Sequence, residues 1–330
     1  MTNIIHKKIT NRYRFALVSD IHVDRENGGK NIYFIHAESN FKRALQVIES
    51  RGCDFIISAG DQITNASGAE EEWLTYRSII DEYGYKGRIY ETLGNHEIRS
   101  AKYGINTLSE CIEDFINYTQ LDKKDVIRPS GKPYYSFIEP VFGDAFIFMA
   151  LENGVDINMI DNFSDEQMDW VERLIGEYTR ENRRIILIQH ANIYAFGAGD
   201  DINSPAYDGA LRTHGGDGTI FKNNIRFKKL IEEYRDLVWV SGHTHLDLRD
   251  EVNFSDNGGE GCRMLHIPAL CGASRLSAEW RSGRKRINSS QGYIVDVDAD
   301  KMIFSGIDFI GDTIFDRFTY TVPYRKEALV

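Results

Sequence analysis

The sequence predicts an α/β fold built around a parallel sheet. Its first half alternates short apolar runs with helical patterns, and this alternation is typical of parallel strands joined by helical crossovers. The middle contains two adjacent apolar runs that predict an antiparallel pair, and the last part contains only short strand-like runs. The chain has 330 residues, is 42% hydrophobic and shows no break in composition, so we predict one domain over residues 1–330.

Strands and helices alternate strictly in the first third of the chain. Periodicity predicts, in chain order, strands at 14–23, 54–63 and 87–97, and helices at 39–52, 69–84 and 106–119. The first helix is expected to begin at Ser39 and to end at Gly52, since these residue types favour helix ends.

The antiparallel pair is predicted at 132–140 and 144–153. The clearest helix follows at 164–183, where Ser164 and Gln167 have the spacing of a capping box. The remaining predicted elements are a strand at 184–193, a helix at 225–236, a strand at 237–245, and short strands at 263–271, 292–300, 301–309 and 317–324.

Two connections are longer than usual, at about 24–38 and about 193–224. Long connections in compact domains are functional rims or lids, or else mobile segments. The second is rich in Gly, Asp, Asn and aromatic residues, and we expect it to be an active-site loop.

Composition restricts the partners. A net charge of −11 works against a nucleic-acid polymer, which is bound largely through Lys and Arg. A small phosphorylated substrate stays compatible, because bound cations reverse the charge locally. No apolar run approaches the about 20 residues of a membrane helix, and the N-terminal run FALV is too short for a signal peptide. We therefore predict a cytoplasmic protein with no membrane partner, whose four scattered cysteines are reduced.

Five predicted strands end in side chains that can bind metals. In chain order these are Asp20 and His22, then Asp61, then Asn95, His96 and Glu97, then His190, and finally His243 and His245. Each has a structural alternative by itself, such as a helix cap for an aspartate or a core hydrogen bond for His190. Strand ends of an α/β sheet gather such groups at one edge, and Gly60, Gly94 and Gly242 permit close approach there. Their joint position favours a metal site.

In order, the blocks DIH, GD, GNHE, H and GHTH resemble the signature of the calcineurin-like metallophosphoesterases. The resemblance spans residues 20–245. It implies a four-layer α/β/β/α sandwich of two mixed sheets flanked by helices. The short strands after residue 245 are then expected in the second sheet.

The resemblance also implies two metal ions bridged by Asp61. Asp20, His22 and His245 would complete the first site, and the second would be completed by Asn95, His190 and His243. Nitrogen and oxygen donors without cysteine suit Mn, Fe, Zn or Co. Such a pair of ions can hold a bridging hydroxide that attacks a phosphoester.

Two further residues of the GNHE block are expected to have different roles. His96 is not needed as a ligand, so we expect it to donate a proton to the leaving group or to stabilise its charge; the alternative is a structural histidine. Glu97 is expected to orient the ligands from outside. The stretch GDQITN lacks the arginine that follows this block in the protein phosphatases of the family, which argues against protein dephosphorylation.

The substrate prediction rests on the small number of positively charged side chains near the motifs. Arg99 and Arg212 are the obvious guanidinium groups near the motifs, a small supply for a monoester dianion. A small diester such as a cyclic nucleotide is therefore the first hypothesis, and a phosphomonoesterase or nucleotide phosphatase is the alternative. A non-catalytic scaffold of this fold should have lost ligands, and all seven are present here. Candidate substrate contacts are Asn95, Asn192, Tyr194, Tyr207 and His214, although the loop residues can equally be ordinary loop packing.

Overall fold

The structure is a computed structural model that describes residues 12–24, 34–65, 69–119, 125–154, 156, 159–200, 210–256, 262–276 and 284–324. The α-helices in these ranges are α1 (Ala37–Ser50), α2 (Glu70–Glu82), α3 (Arg99–Lys102), α4 (Leu108–Thr119), α5 (Asp165–Arg180) and α6 (Lys222–Glu233). The strands are β1 (Tyr13–Val18), β2 (Phe55–Ser58), β3 (Ile89–Glu91), β4 (Val126–Ile127), β5 (Tyr135–Ile138), β6 (Ala145–Phe148), β7 (Ile185–Ile188), β8 (Leu237–Ser241), β9 (Phe254–Ser255), β10 (Arg263–His266), β11 (Ser274–Leu276), β12 (Arg284–Arg286), β13 (Gln291–Val297), β14 (Lys301–Asp308) and β15 (Thr313–Pro323).

Two mixed sheets form the centre of the fold. The first has the order β15-β14-β13-β1-β2-β3, with β1, β2 and β3 parallel and the other three strands antiparallel. The second has the order β4-β5-β6-β7-β8-β10-β9, with β6, β7, β8 and β10 parallel. The predicted antiparallel pair is β5 and β6, and it is confirmed.

The two sheets pack face to face through aromatic rings. Phe15 and Phe55 of the first sheet contact the edge of Phe146 of the second, with ring centroids 5.5 and 5.7 Å away. On the outside of the second sheet, Phe227 of α6 packs against Trp239 of β8 at 5.5 Å. The predicted four-layer α/β/β/α sandwich is therefore confirmed.

The expected place of the trailing strands is confirmed for β10 and wrong for the last three. In the part of the chain that the structure describes, β9 and β10 join the second sheet, whereas β13, β14 and β15 extend the first sheet from the free side of β1. In β14, buried and half-buried residues alternate, so this strand needs cover on one face. Such a pattern fits the edge of either sheet, and the choice depends on hydrogen bonding to β1 that no local pattern reveals.

Several helix ends differ from their predictions. Helix α1 begins at Ala37, and the hydroxyl of Ser39 donates to the carbonyl of His36 within the first turn. Helix α6 begins at Lys222, inside the predicted long loop. At α5 the Ser164 hydroxyl accepts from the backbone N–H of Gln167 at 3.1 Å, as predicted, but the Gln167 side chain bonds the backbone of Ala150 instead of closing the capping box.

The hydrophobic core is continuous between the sheets and under the helices. All four cysteines are free and buried, in agreement with the reduced state expected from the sequence. Across the described ranges, no helix combines the length and apolarity that crossing a membrane requires. The assignment of the whole chain to one domain stays a prediction.

Candidate metal centre

The predicted ligands follow five strands that end at the same edge of the fold. Asp20, Asp61 and Asn95 come two to four residues after β1, β2 and β3, and His190 and His243 come two residues after β7 and β8. Because the two sheets pack face to face, the ends of strands from both sheets meet there.

The first group of donor atoms belongs to Asp20, His22, His245 and Asp61. The Nε2 atom of His245 lies 3.1 Å from Asp20 Oδ1 and 3.2 Å from His22 Nε2. The Nε2 atom of His22 lies 3.8 Å from Asp20 Oδ1 and 3.7 Å from Asp61 Oδ2. Four donor atoms from three strand ends thus converge on one small volume.

The second group is centred on His190. Its Nε2 atom lies 3.1 Å from Asp61 Oδ2, 3.1 Å from Asn95 Oδ1 and 3.2 Å from His243 Nδ1. The same oxygen of Asp61 therefore faces both groups. Donor atoms bound to one ion at about 2.0–2.2 Å lie about 3 Å or more apart, so both groups have the spacing of a ligand shell.

The carboxylates are oriented as metal ligands are. Asp20 Oδ2 accepts from the backbone N–H of His243 at 2.9 Å, while its buried Oδ1 has no hydrogen-bond partner among the described residues and faces His245 Nε2. Asp61 Oδ1 accepts from the backbone N–H of His96 at 2.9 Å, and its Oδ2 faces the imidazoles. In each case one oxygen is held by the backbone and the other is left for an ion. The residues therefore fit a dinuclear centre.

The His190 ring is held in one orientation. Its Nδ1 atom lies 2.7 Å from the carbonyl oxygen of Ala59, so Nδ1 carries the hydrogen and donates it. In the neutral ring, Nε2 would then carry the lone pair that binds an ion, and this atom faces Asp61 and Asn95. Such a hydrogen bond behind a metal-binding histidine fixes its tautomer and strengthens it as a ligand.

The backbone of the predicted ligands is strained. Left-handed φ angles occur at five of them: Asp20 (55°), His22 (53°), Asp61 (55°), His243 (75°) and His245 (57°). For a residue with a side chain this conformation costs on the order of 1–3 kcal/mol and clusters at functional sites. The surrounding structure must supply that energy.

The glycines predicted to permit close approach are confirmed in that role. A Cβ atom on Gly60 would lie 2.5 Å from His190 Nδ1, and one on Gly94 would overlap Asp61 Oδ1. Gly242 is equally crowded, since its Cβ would overlap a serine hydroxyl at the end of β1. The ligands are packed directly against these three backbones.

Charge is balanced within the centre. Burial raises the pKa of Asp61 and of Asp20, but the neighbouring imidazoles lower both pKa values well below the ordinary range. Burial opposes protonation of His190 and His245, but Asp61 raises the pKa of His190 to about 9 and Asp20 raises that of His245 to about 10. Burial and His190 lower the pKa of His243 to about 3. Without ions, two carboxylates therefore face two imidazolium groups.

His96 lies beside the first group. Its ring centroid is 4.5 Å from that of His22, and its Nδ1 atom lies 2.9 Å from the carbonyl oxygen of Thr64, so Nδ1–H donates there. Burial lowers its pKa to about 3, against the charge of Asp61, and the ring is neutral at pH 7. Arg99 Nη1 is 3.4 Å from the same ring nitrogen.

Glu97 supports the backbone of the centre. Its carboxylate accepts from the N–H groups of Gly94 at 2.7 Å, Gln62 at 2.6 Å and Asp61 at 3.2 Å. These bonds join the ends of β2 and β3. In this geometry Glu97 holds the backbone of Asp61 in position.

Sequence patterns did not reveal three neighbours of the centre. Phe34 stacks on the ring of His22 with centroids 4.5 Å apart, and Cys271 Sγ lies 4.0 Å from His245 Nδ1. His266 Nε2 lies 2.7 Å from the hydroxyl oxygen of Thr244, the residue between His243 and His245. All three lie outside the motif blocks. The one signal in the sequence was the predicted strand at 263–271, which ends at Cys271.

The candidate substrate contacts are less concentrated. Asn95 belongs to the second donor group, and Asn192 is buried with neither side-chain polar atom hydrogen-bonded within the described ranges. Tyr194 lies under the guanidinium of Arg212 at 4.3 Å, and His214 is exposed. Tyr207 lies outside the described residues. The assignment of these side chains to substrate stays a prediction.

The sequence matches the family described as calcineurin-like phosphoesterase over residues 13–247, more than two thirds of its 330 residues. The chain belongs to this family. Membership makes it a metal-dependent phosphoesterase, and the two donor groups that share Asp61 fit the dinuclear centre that the family implies. A comparison with curated proteins finds no match.

Solved structures show the same fold at low identity. A dimetal phosphatase from Danio rerio is 13% identical with a TM-score of 0.63, and the match covers 95% of this chain and 99% of that one. Purple acid phosphatase PPD1 from yellow lupin (Lupinus luteus) seeds is 14% identical with a TM-score of 0.60, over 94% of this chain but 54% of that one. GAP50, the anchor in the inner membrane complex of Plasmodium, is 15% identical with a TM-score of 0.52, over 96% and 90%.

Proposed function

We propose that the protein is a dinuclear metal-dependent phosphodiesterase that hydrolyses a small diester such as a cyclic nucleotide. The observation that carries the hydrolytic part is the shared oxygen of Asp61, which lies 3.7 Å from His22 Nε2 in one donor group and 3.1 Å from His190 Nε2 in the other. Two ions held by these residues would polarise a phosphoryl oxygen and would make water acidic enough to give hydroxide near neutral pH.

The side-chain partners of the two arginines predicted near the motifs support a diester. Arg99 lies against His96, and the guanidinium of Arg212 lies over the ring of Tyr194. A phosphomonoester dianion carries one more negative charge than a diester and favours additional Arg contacts. We infer that the smaller charge of a diester suits this centre better.

We assign His96 to the leaving group. Its Nδ1–H is committed to Thr64, so Nε2 is the nitrogen free to act. Since burial keeps the ring neutral, Nε2 of the partly exposed His96 would first take a proton from solvent water and would then pass that proton to the leaving alkoxide. Arg99, beside the ring, is placed to stabilise negative charge in the same region.

The second candidate is a phosphomonoesterase or nucleotide phosphatase. Two phosphatases with this fold favour it, the dimetal phosphatase and the purple acid phosphatase. A non-catalytic scaffold is disfavoured because the two donor groups retain all seven predicted ligands. A small phosphorylated substrate as partner and a cytoplasmic location remain proposals.

The test compares bis-(p-nitrophenyl) phosphate with p-nitrophenyl phosphate after loading with Mn²⁺, Fe²⁺, Zn²⁺ or Co²⁺, followed by a panel of cyclic nucleotides. The Asp61→Asn variant, purified identically, reports any contaminating phosphatase. We expect a higher kcat/KM for the diester. Faster monoester turnover would favour the second candidate, and two bound ions without turnover of either substrate would favour the scaffold.

A further inference from the structure

A buried chain of hydrogen bonds lies behind the two histidines that follow β8. The Thr244 side chain, between His243 and His245, has its Oγ1 atom 2.7 Å from His266 Nε2. His266 Nδ1 lies 2.7 Å from Asn253 Oδ1, and Asn253 Nδ2 donates to the carbonyl oxygen of Asp247 at 2.8 Å. All of these side chains are at most 1% exposed.

The direction of each hydrogen bond follows from the last one. A carbonyl oxygen only accepts, so the amide nitrogen of Asn253 points at Asp247 and its Oδ1 must accept from His266 Nδ1–H. The neutral imidazole then has Nε2 as an acceptor, and the Thr244 hydroxyl donates to it. The chain is fully satisfied with one proton per bond, and Thr244 cannot rotate without breaking it.

The loop that carries Thr244 is strained on both sides. His243 and His245 have φ angles of 75° and 57°. Both point their rings into the donor groups, where His245 Nε2 is 3.1 Å from Asp20 and His243 Nδ1 is 3.2 Å from His190. Because Thr244 lies between these two strained residues, its hydrogen bond to His266 restrains the backbone of both.

His266 is a rigid anchor for that bond. It ends β10, which pairs with β8 so that His266 lies opposite Ser241, and Ile267 N–H donates to Ser241 at 2.7 Å. The ring is also packed against Gly199, whose Cβ, if present, would be 2.6 Å from His266 Cδ2. The imidazole therefore has little room to move.

We propose that Thr244 and His266 are positioning residues that hold His243 and His245 in their metal-binding geometry. This inference rests on the proposed ligand roles of these two histidines. In this proposal neither Thr244 nor His266 contacts an ion or the substrate. Both act by holding the backbone of the loop that carries the two histidines. The removal of a hydrogen-bond partner outside the ligand shell typically weakens metal binding by about 10–100-fold.

The test measures Co²⁺ binding by competition with a chelator and by the visible absorption of the bound ion. Thr244→Val removes the hydroxyl at nearly constant shape, and we expect Co²⁺ to bind at least tenfold more weakly with a changed absorption spectrum. Thr244→Ser keeps the hydroxyl and should restore both. His266→Phe should match Thr244→Val, and the double variant should be no weaker than either single one, since they break the same bond.

Thr92→Val is the matched control, because the Thr92 hydroxyl is equally buried but has no hydrogen-bond partner in the described ranges. It should bind Co²⁺ as the unmodified protein does. Wild-type Co²⁺ affinity and spectrum in a folded Thr244→Val variant, checked by circular dichroism, would overturn the positioning role. If the unmodified protein does not bind two ions, the metal assignment itself fails.

Discussion

A single carboxylate connects the two donor groups. Asp61 is 1% exposed, its Oδ1 is held by the backbone of His96, and its Oδ2 faces both His22 and His190. We expect Asp61→Asn to lose both ions and all measurable turnover, because an amide offers one weaker oxygen donor to two sites. Metal content by mass spectrometry after gel filtration checks this. The control is Asp316→Asn on the exposed face of β15, which should keep two ions; two tightly bound ions in Asp61→Asn would contradict a bridging role.

His96 is expected to matter for turnover and little for metal content. It lies beside the first donor group, and its Nδ1 is bonded to Thr64, not to the ligands. His96→Ala should keep two ions and lose about 10²–10⁴-fold in kcat on an alkyl diester, the usual contribution of a proton-transfer group. Steady-state kinetics on alkyl and p-nitrophenyl diesters provide the measurement. The loss should be smaller for the p-nitrophenyl substrate, whose leaving group needs no proton, and equal losses on both would refute the role.

At the residue scale, the sequence predicted which donors meet but could not predict their support. Five motif blocks with glycines before three of them pointed to Asp20, Asp61 and the histidines. The contacts of His266 and Cys271 with the loop after β8 depend on the pairing of β10 with β8, and no spacing in the sequence encodes that pairing. Supporting residues of this kind become visible only in three dimensions.

At the element scale, the strand ends create the site through close packing. Gly94, after β3, has no left-handed φ, yet a Cβ there would overlap Asp61 Oδ1. The new Cβ would also lie 2.8 Å from the backbone nitrogen of Asp61, so Gly94→Ala should displace Asp61 and reduce both metal content and kcat/KM at least tenfold. The control is Gly176→Ala in α5, where the nearest atom is 3.7 Å away.

The two alanine variants should change the free energy of unfolding in opposite directions. Gly176→Ala should raise the free energy of unfolding by about 0.5–1 kcal/mol, because glycine costs that much in a helix interior, and should leave activity unchanged. Urea denaturation of both variants, with metal content measured in parallel, gives the comparison. Full metal content in Gly94→Ala would show that the ligand can move aside and that the glycine is not required.

Elements were predictable where their own periodicity determines them. Helix α5 and the parallel strands of the two mixed sheets follow directly from such patterns. The start of α4 contained an overlooked signal: Glu110 N–H donates to Thr107 Oγ1 at 3.2 Å and Thr107 N–H donates to Glu110 at 2.7 Å, a complete capping box. The placement of β13, β14 and β15 had no local signal, because strand order is a property of the whole sheet.

At the scale of the whole molecule, the metal centre is a buried cluster of charge in an acidic protein. Asp20 and Asp61 are almost fully buried, and without ions they are neutralised by the protonated rings of His245 and His190. Ions that bind the folded chain stabilise it, by about 2.7 kcal/mol for one site at a hundred times its Kd. Metal binding and folding are therefore linked, and both depend on pH.

The difference in Tm between the metal-loaded and the chelator-treated protein should increase from pH 6.5 to pH 8.5. Ligation needs neutral His190 and His245, whose pKa values without ions are raised to about 9 and about 10, so binding displaces a proton from each. Below these pKa values, each displaced proton makes apparent affinity rise about tenfold per pH unit.

The metal-free protein changes in the opposite direction. A raised folded-state pKa gives stability that is fully present below the unfolded value of about 6.5 and is lost as pH rises through about 9 and about 10. Rising pH therefore strengthens metal binding while it weakens the ion pairs that replace the metals. Thermal melts with and without chelator at each pH measure the difference, and calorimetry in two buffers of different ionisation enthalpy counts the protons. A difference in Tm that is constant with pH, with no proton release at pH 7, would mean that these two imidazoles are neutral before the ions bind.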